Sequence, residues 1–333
     1  MNKLKVLSLF SGIGAFEKGL FNLDIDYDLV GFSEIDKYAI DAYCTLHNVP
    51  MSKLLGNVTK VDGKTLSEID LITHGSPCQS FTRAGKMEGG DEGSGTESSL
   101  MWETVRVINE VLPKYVIWEN VPDVLSKKHI HNFNKYINEL DVIGYNSYHE
   151  ILNANDYGSP QKRRRLFVVS IRKDINDTFE FPNKIQYDKS ITDYFDVTDK
   201  CDYNVPLHIV DEIVLDNSED GSYMIKNATK QGYLLANDND SIDFSFPKSK
   251  VRRGRVQYNR SQTLTCSKAI GTVQNGKFRY YSPSEYWKLQ GFSIHDYNKV
   301  KALGLSDAQL YKQAGNSIEV GVAEQILRNL LLK

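Results

Sequence analysis

The sequence has few cysteines and no long apolar run, and these absences exclude several classes of protein. Among its 333 residues the four cysteines are scattered, with no Cys-x-x-Cys pair, so we expect neither a disulfide framework nor a structural metal site. No segment approaches the roughly 18 consecutive apolar residues that span a bilayer. The first ten residues also lack the layout of a secretory signal. We therefore expect a cytoplasmic protein with no membrane partner.

The sequence also lacks a strong net charge, because 40 Lys and Arg face 43 Asp and Glu, a balance of −3. The distribution along the chain is uneven, since residues 201–243 are acidic and residues 244–284 contain no Asp or Glu. This acid-free segment carries cations with aromatic residues between them, and a second basic cluster lies at 162–165. Such a pattern is typical of surfaces that bind the phosphate backbone of nucleic acids. The alternative interpretation is a charged protein surface that contacts only solvent. Nucleic acid is therefore a candidate partner.

Short apolar runs alternate with helical patterns in the first half of the chain, which is typical of an α/β protein with a doubly wound, mostly parallel sheet. The predicted strands are 4–10, 28–32, 70–74, 115–118 and 166–171. Beyond about residue 173 the alternation is lost, which predicts a second, smaller and irregular β-rich domain. The alternation returns in a helix at 318–332, with Val322, Ile326 and Leu330 on one face. We expect one domain of residues 1–172 plus 305–333 and another of residues 173–304.

Polar clusters follow four of the predicted strands. In a doubly wound sheet, ligands bind outside the carboxyl ends of the strands, so these clusters are expected to form one site. The clusters are Ser11-Gly12-Ile13-Gly14, Glu34, Gly75-Ser76-Pro77-Cys78-Gln79 and Glu119-Asn120.

The first cluster has the character of a nucleotide-binding turn. Gly12 and Gly14 permit close approach of the backbone to a ligand, and Glu34 is placed to bond ribose hydroxyls. The third glycine of a dinucleotide-binding motif falls at position 17, where this chain has Glu17. An acid there repels pyrophosphate but tolerates a cationic nucleoside. S-adenosylmethionine therefore fits better than NAD, and a nicotinamide dehydrogenase with a reactive cysteine is the alternative.

Cys78 and Glu119 are the candidate catalytic residues. A free cysteine is usually a small buried hydrophobe, but a thiol at this edge of the sheet is also a candidate nucleophile. A carboxyl group at a strand end is either a cap for the next turn or, when enclosed by aromatic residues, a general acid. The glycine-rich segment 80–99 that follows Cys78 is either a disordered surface loop or a mobile lid, and we favour the lid.

These motifs together resemble the DNA (cytosine-5) methyltransferases of bacterial and phage restriction-modification systems. The resemblance covers the first domain and the C-terminal segment, with five motifs in the family's order. They are Leu9-Phe10-Ser11-Gly12-Ile13-Gly14, Ser76-Pro77-Cys78-Gln79, Glu119-Asn120-Val121, Gln161-Lys162-Arg163-Arg164-Arg165 and Gln313-Ala314-Gly315-Asn316-Ser317-Ile318.

The resemblance implies the fold of S-adenosylmethionine-dependent methyltransferases and a cofactor pocket. In it Phe10 stacks on the adenine and Glu34 holds the ribose, and the other expected members are Ser11, Gly12, Gly14, Ile35, Asn57, Leu100, Asn316 and Ser317. Two of these depart from the family's pattern. Asn57 stands where the family usually has an aspartate that contacts the adenine amino group, and Ile35 stands where a bulky aromatic residue often follows the ribose-binding acid.

The same resemblance implies the reaction. Cys78 adds to C6 of a cytosine flipped out of duplex DNA, Arg163 favours the thiolate, Glu119 stabilises N3, and Arg165 binds O2 or a phosphate. The role of Glu119 requires a pKa raised well above the roughly 4.3 of a free glutamate. The second domain is then the target-recognition domain. The residues expected to contact DNA are Gln79, Ser80, Arg83, Arg252, Arg253, Arg255 and Arg260.

The rival within this chemistry is an RNA cytosine-5 methyltransferase. The large region between 173 and 285 favours duplex DNA as the substrate, since RNA-modifying members of the family tend to have a shorter region there. A non-catalytic DNA-binding relative is disfavoured, because both Cys78 and Glu119 are present. We expect a monomer that modifies a specific DNA sequence. It either has a cognate restriction endonuclease as a further partner or is an orphan or phage enzyme.

Overall fold

The computed structural model describes residues 3–82, 87–185, 189–196, 203–218 and 221–332. The helices are α1 (Ala15–Asn22), α2 (Lys37–His47), α3 (Met101–Val111), α4 (Ile130–Ile143), α5 (Leu207–Ile213), α6 (Pro283–Leu289), α7 (Ile294–Lys301), α8 (Asp307–Asn316) and α9 (Val320–Leu331). The strands are β1 (Leu4–Leu9), β2 (Tyr27–Ser33), β3 (Leu71–His74), β4 (Tyr115–Asn120), β5 (Tyr145–Asn153), β6 (Arg164–Arg172), β7 (Val214–Asn217), β8 (Tyr223–Lys226), β9 (Tyr233–Ala236), β10 (Ser241–Asp243), β11 (Val256–Gln257), β12 (Ile270–Gln274) and β13 (Lys277–Tyr280). Within the described ranges, no helix is long and apolar enough to cross a bilayer.

The chain divides into two compact units. The first comprises Met1–Asn153, Arg164–Lys184 and Val320–Lys333, and the second comprises Ala154–Arg163 and Ile185–Glu319. Residues 154–163 and 305–319, which the sequence assigned to the first domain, therefore group with the second unit, and residues 173–184, which it assigned to the second domain, group with the first. The functional roles expected of the two domains stay predictions.

The first unit is built on a six-stranded sheet of order β2-β1-β3-β4-β6-β5. The pairs β1–β2, β1–β3 and β3–β4 are parallel, while β6 runs antiparallel to both β4 and β5. The predicted α/β fold with a mostly parallel sheet is confirmed. Since β6 is antiparallel, it begins at the edge where β1 to β4 end, which brings its first residues to the polar edge of the sheet.

The sequence analysis did not predict β5. Its nine residues mix polar and apolar side chains, and only its two ends are well buried, as Tyr145 and Leu152 are. A strand at the edge of a sheet has one half-solvated face and therefore lacks the continuous apolar run that marked the central strands.

The final helix, α9, returns to the first unit as predicted. Its stripe of Val322, Ile326 and Leu330 is buried, with exposures of 3%, 0% and 2%. Gly19 of α1 lets the two helices approach closely, because a Cβ there would lie 3.1 Å from Leu327 Cδ1.

The second unit contains two antiparallel sheets of order β11-β10-β12-β13 and β7-β8-β9. Its strands are two to five residues long, which agrees with the predicted irregular β-rich domain. A small core that includes Ile225, Ile242 and Phe244 holds these sheets together.

Candidate active site

The turn after β1 has an unusual backbone. Phe10, Gly12 and Gly14 all adopt positive φ angles, of 53°, 55° and 78°. For a bulky residue such as Phe10 this conformation is strained, and such strain is concentrated at functional sites. The turn is closed by the N–H of Gly14, which donates to the carbonyl oxygen of Ser11 at 2.9 Å.

Glu34 is tied to this turn by backbone hydrogen bonds. Its Oε2 accepts the N–H of Gly12 at 2.9 Å, and its Oε1 accepts those of Ile35 at 2.7 Å and Asp36 at 2.9 Å. Oε2 keeps a second lone pair that can accept from a hydroxyl group. The carboxylate is therefore oriented before any ligand binds.

Gly14 is required for a steric reason as well as for its φ angle. A Cβ at this position would overlap His47 Nε2 and lie 2.9 Å from Tyr43 Cε2. His47 cannot easily move aside, because its Nε2 also makes a 3.0 Å hydrogen bond with the carbonyl oxygen of Ile13. The helix α2 that carries both side chains thus limits position 14 to glycine.

Gly14→Ala is expected to lower the free energy of unfolding by at least about 1–2 kcal/mol, measured by urea denaturation, because it adds this overlap to the left-handed strain. Gly12→Ala is the matched control. Its φ is similar, but nothing lies within 4 Å of the added Cβ, so the loss should be smaller. Equal losses in the two variants would show that the overlap with His47 does not matter.

Glu17 does not face the ligand side of the turn, contrary to the expectation that its charge selects the cofactor. It is 1% exposed and lies in the interior near Tyr43 and Tyr27. Burial, and then the carboxylate of Glu17, raise the pKa of both phenols above the usual range. The argument against NAD from the charge of Glu17 therefore has no support in the structure.

The two positions that depart from the family's pattern are both at the surface. The side-chain oxygen of Asn57 accepts two bonds from Thr59, from its N–H and its hydroxyl, each at 3.0 Å. The amide oxygen is thus engaged within its own turn, and the NH₂ group remains as a donor. Ile35 is 72% exposed.

Cys78 lies in a turn just beyond β3. Its carbonyl oxygen accepts the N–H groups of Phe81 at 2.9 Å and Thr82 at 3.2 Å, and its half-buried side chain packs against the core of the first unit. The turn is joined to the neighbouring strand β4, because Asn120 Nδ2 donates to the carbonyl oxygen of Ser76 at 3.1 Å. β3 and β4 thus carry the candidate nucleophile and the candidate acid on adjacent strand ends.

Glu119, near the end of β4, forms an ion pair with the first residues of β6. Arg165 Nε lies 3.0 Å from Glu119 Oε1, and the side chains are only 18% and 12% exposed. Arg165 also donates from Nη1 to the carbonyl oxygen of Arg164 at 2.8 Å. The guanidinium therefore orients one oxygen of the carboxylate.

The described part of the 80–99 segment is anchored to the first unit. Phe81 is fully buried and makes an edge contact with His129, and Trp102 Nε1 donates to the carbonyl oxygen of Gly90 at 2.7 Å. Ser98 Oγ accepts the N–H of Ser80 at 3.1 Å. The segment therefore has defined contacts on both sides of residues 83–86.

Three of the predicted catalytic and cofactor residues belong to the second unit, namely Arg163, Asn316 and Ser317. Arg163 is 4% exposed and donates from Nη2 to the carbonyl oxygens of Gly315 at 3.0 Å and Ser317 at 2.7 Å. Its Nη1 donates to that of Leu264 at 3.3 Å. These bonds give Arg163 a positioning role for the segment with Asn316 and Ser317, while its predicted effect on the thiol stays a prediction. Leu100 lies in the first unit, just before α3.

The residues expected to contact DNA differ widely in exposure. Gln79 is exposed, whereas Ser80 is 6% exposed and bonded within its loop. Arg83 lies outside the described residues. Arg253 and Arg260 are exposed.

Arg255 is a correction to the sequence analysis. It is fully buried, and its guanidinium donates to the carbonyl oxygens of Asp243 at 2.8 Å, Ser245 at 2.9 Å and Phe246 at 2.8 Å. Arg252 is also engaged internally, since it pairs with the buried carboxylate of Asp243. These two arginines organise the loop between β10 and β11 from inside, and Arg255 has no surface to offer a phosphate.

A further cation of the acid-free segment is internal as well. Arg279 forms two 2.8 Å hydrogen bonds with the fully buried Glu285. The acidic partners Asp243 and Glu285 flank the acid-free segment on either side. The cations of this segment that remain exposed are Lys248, Lys250, Arg253, Arg260, Lys268 and Lys277.

The sequence analysis also missed the part played by Ser76. Its hydroxyl accepts hydrogen bonds from Trp118 and Asn120, the two neighbours of Glu119 in β4. Alternate residues of a strand share a face, so the sequence indicates that positions 118 and 120 point the same way, but it does not indicate that they meet Ser76.

Comparison with known proteins identifies the family of this chain. The profile of the family "C-5 cytosine-specific DNA methylase" matches residues 4–332. The orphan methyltransferase M.SPRI of Bacillus phage SPR is 29% identical, with 99% of this chain and 98% of the relative covered. The type II methyltransferase M.HhaI of Haemophilus parahaemolyticus is 29% identical, with 98% and 94% covered.

Solved structures show the same fold. The methyltransferase EhMeth of Entamoeba histolytica superimposes with a TM-score of 0.71 at 20% identity, and both chains are covered completely. A DNA modification methyltransferase described as putative, encoded within an E. coli prophage, gives 0.66 at 21% identity, with 98% of each chain covered. Since a family profile spans nearly the whole sequence, the chain belongs to the C-5 cytosine-specific DNA methylase family and is a DNA cytosine-5 methyltransferase.

Proposed function

We propose that the protein transfers a methyl group from S-adenosylmethionine to C5 of a flipped-out cytosine in a specific duplex DNA sequence, through a transient bond between Cys78 and C6. The observation that carries this proposal is the pairing of β3 with β4. It brings the turn of Cys78 beside the strand end of Glu119, whose carboxylate is oriented by Arg165 at 3.0 Å. A nucleophile, an acid and a cation on neighbouring strand ends suit attack on a pyrimidine ring.

In the first step the thiolate of Cys78 acts as the nucleophile. Cytosine C5 alone is too weak a nucleophile, so Sγ adds to C6 and the electron pair of the C5–C6 double bond moves towards N3. This role needs a protonated Glu119, whereas the ion pair with Arg165 favours the charged form, so we propose that Glu119 takes up a proton when the base enters the site. It passes that proton to N3 and so neutralises the developing charge. The ring is then an enamine with electron density at C5. After transfer, the C5 proton is lost to a base, the N3 proton returns to Glu119 and Cys78 leaves as the thiolate, which restores the aromatic ring.

The turn after β1 fits the adenosyl part of the cofactor. Gly12 has open space where a side chain would lie, so a ligand can approach its backbone. Phe10 offers a ring for stacking, Glu34 an oriented acceptor for ribose hydroxyls, and Asn57 a donor for the base edge. Ser11, Gly14, Ile35, Leu100, Asn316 and Ser317 complete the set that we propose. S-adenosylmethionine, when bound, supplies the electrophilic methyl group.

The substrate cytosine must leave the helix, because none of these side chains can reach a stacked base. Flipping costs a few kcal/mol, and contacts from the segment after Cys78 offset part of it. Gln79, which is exposed beside the nucleophile, is the residue of that segment we propose for this contact. Arg165 is proposed to bind the cytosine O2 or an adjacent phosphate with the part of its guanidinium that does not face Glu119.

Substitutions of two nearby arginines, Arg253 and Arg255, are expected to distinguish a residue that contacts DNA from one that stabilises the fold. Arg253→Ala is expected to weaken duplex binding and to reduce the slope of log K against log salt by about 1, because one phosphate contact is lost. Arg255→Ala is expected to lower the free energy of unfolding by at least about 2 kcal/mol, because three buried carbonyl oxygens lose their donor.

Salt titrations of DNA binding and urea denaturation of both variants check this pair. Arg253→Ala should lose less stability than Arg255→Ala, because it removes one exposed bond, from Arg253 Nε to the carbonyl oxygen of Ala228 at 2.9 Å. An unchanged salt slope in Arg253→Ala, or unchanged stability in Arg255→Ala, would contradict the assignment of that residue.

The proposed function is tested by methyl transfer from labelled S-adenosylmethionine to duplex DNA and to transfer RNA in parallel. Transfer to duplex DNA at the cytosines of one short sequence, mapped by sequencing, supports the proposal. Transfer to RNA alone would favour the rival activity. We further propose that the enzyme acts as a monomer in a bacterial or phage-infected cell. There it is either the modification enzyme beside a cognate endonuclease or an orphan enzyme.

A further inference from the structure

The two neighbours of Glu119 in β4 both bind the turn that leads to Cys78. Trp118 Nε1 donates to Ser76 Oγ at 3.1 Å, and Asn120 Nδ2 lies 3.3 Å from the same hydroxyl. Side chains alternate along a strand, so Trp118 and Asn120 leave β4 on the face opposite to Glu119. One strand therefore carries the acid on one face and the attachment of the nucleophile's turn on the other.

This attachment is completely enclosed. Ser76, Trp118 and Asn120 are 3%, 0% and 1% exposed. His74 stacks on the Trp118 ring at 6.0 Å and 8°, and its Nε2 lies 3.0 Å from the hydroxyl of Tyr136. Burial lowers the pKa of His74 to about 3, so the ring is neutral. Because water does not reach this cluster, a donor that loses its acceptor here stays unsatisfied.

The orientation of the Asn120 amide follows from its other contact. Asn120 Oδ1 accepts the N–H of Val121 at 2.8 Å, which turns its nitrogen towards Ser76. On the far side of Cys78 the turn closes on itself, through the bonds from Phe81 and Thr82 to the Cys78 carbonyl oxygen. Ser76 is therefore the point at which the start of this turn is tied to β4.

We propose that Ser76 and Trp118 are positioning residues, whose hydrogen bond sets the separation between the Cys78 thiol and the Glu119 carboxyl group. Neither side chain touches the substrate. This inference rests on the proposed roles of Cys78 and Glu119. Sγ must meet C6 while the acid meets N3 of the same ring, so a small shift of the turn misaligns one of the two. A displacement of about 1 Å is enough to cost about 10²-fold in rate.

Ser76→Ala removes the acceptor of this bond. Trp118→Phe removes its donor together with part of a fully buried ring that contacts His74, Phe133 and Tyr136. The measurement is the rate of covalent adduct formation with a duplex containing 5-fluorocytosine at the target position, below the unfolding temperature, with kcat and KM for unmodified DNA. We expect each variant to form the adduct about 10- to 100-fold more slowly, with KM for DNA little changed. Both substitutions break the Trp118–Ser76 bond, and Ser76→Ala also removes the contact of Asn120 with the same hydroxyl, while the bond from Asn120 to the Ser76 carbonyl oxygen remains. The double variant should therefore be no slower than Ser76→Ala.

Ser170→Ala is the matched control for lost stability. Ser170 is a buried serine of β6 in the same sheet, and its hydroxyl lies 2.8 Å from that of Ser147. We expect it to lower Tm and to leave the adduct rate unchanged. If Ser76→Ala and Trp118→Phe lower Tm in the same way but form the adduct at the normal rate, the positioning role is wrong. If the unsubstituted protein methylates DNA without forming any adduct, the covalent mechanism fails instead.

Discussion

Cys78→Ser is expected to lower methyl transfer by at least about 10³-fold, as the loss of a covalent nucleophile does in other enzymes. The substitution exchanges sulfur for oxygen and leaves the side chain nearly the same size, so the turn after β3 should keep its hydrogen bonds. A thiolate is accessible near neutral pH, whereas a serine hydroxyl without an adjacent base stays protonated. Specific DNA binding should therefore survive. The measurements are transfer of a labelled methyl group and a gel-shift titration.

Cys44→Ser is the matched control in the same unit. Cys44 is half-buried in α2, and burial, then the charge of Asp41, raise the pKa of its thiol, so it is a poor nucleophile. This variant should methylate at the normal rate. Retained methylation by Cys78→Ser would remove Cys78 from the mechanism, and loss of activity in both variants would mean that the effect of Cys78→Ser is not specific.

Glu119→Gln is expected to slow the chemical step by about 10²–10⁴-fold, which is the usual contribution of a general acid. The amide oxygen can still accept the Arg165 bond that now measures 3.0 Å, so the arrangement of β4 and β6 should be kept. What is lost is the proton that neutralises N3. The measurements are single-turnover methyl transfer and titration of cofactor binding, and only the first should change strongly.

Glu103→Gln provides the comparison for this variant. Glu103 is another partly exposed glutamate of the first unit that pairs with an arginine, since Arg106 Nε lies 2.8 Å from its Oε2. Its replacement should leave the single-turnover rate unchanged. Near-normal turnover by Glu119→Gln would end its assignment as the acid.

The central part of the fold could be predicted because its signals are local. The strands β1, β3 and β4 are short apolar runs followed by turn residues, and their parallel pairing brings the polar clusters to one edge. The approach of Arg165 to Glu119 could not be derived in this way. It depends on β6 entering the sheet antiparallel between β4 and β5, and β5 lacks the apolar run of a central strand.

The exposure of the cations in the acid-free segment 244–284 could not be predicted from the sequence. Sequence spacing treats every cation between 244 and 284 alike, but a guanidinium can satisfy carbonyl oxygens or a buried carboxylate as well as a phosphate. Arg255 and Arg279 are used in this way, and the acids that accompany them lie just outside the acid-free window, at Asp243 and Glu285. Exposure, which distinguishes Arg253 from Arg255, is a property of the folded chain.

The sequence by itself determined the family, the α/β class and the order of the motifs, because these depend on residue type and on periodicity along the chain. Tertiary structure alone decided which polar side chains meet. Ser76 and Trp118 are 42 positions apart, and their hydrogen bond exists only because β3 and β4 lie side by side. Hydrogen bonds and ion pairs act over about 3 Å, so partners distant in sequence are chosen by strand order and register rather than by spacing.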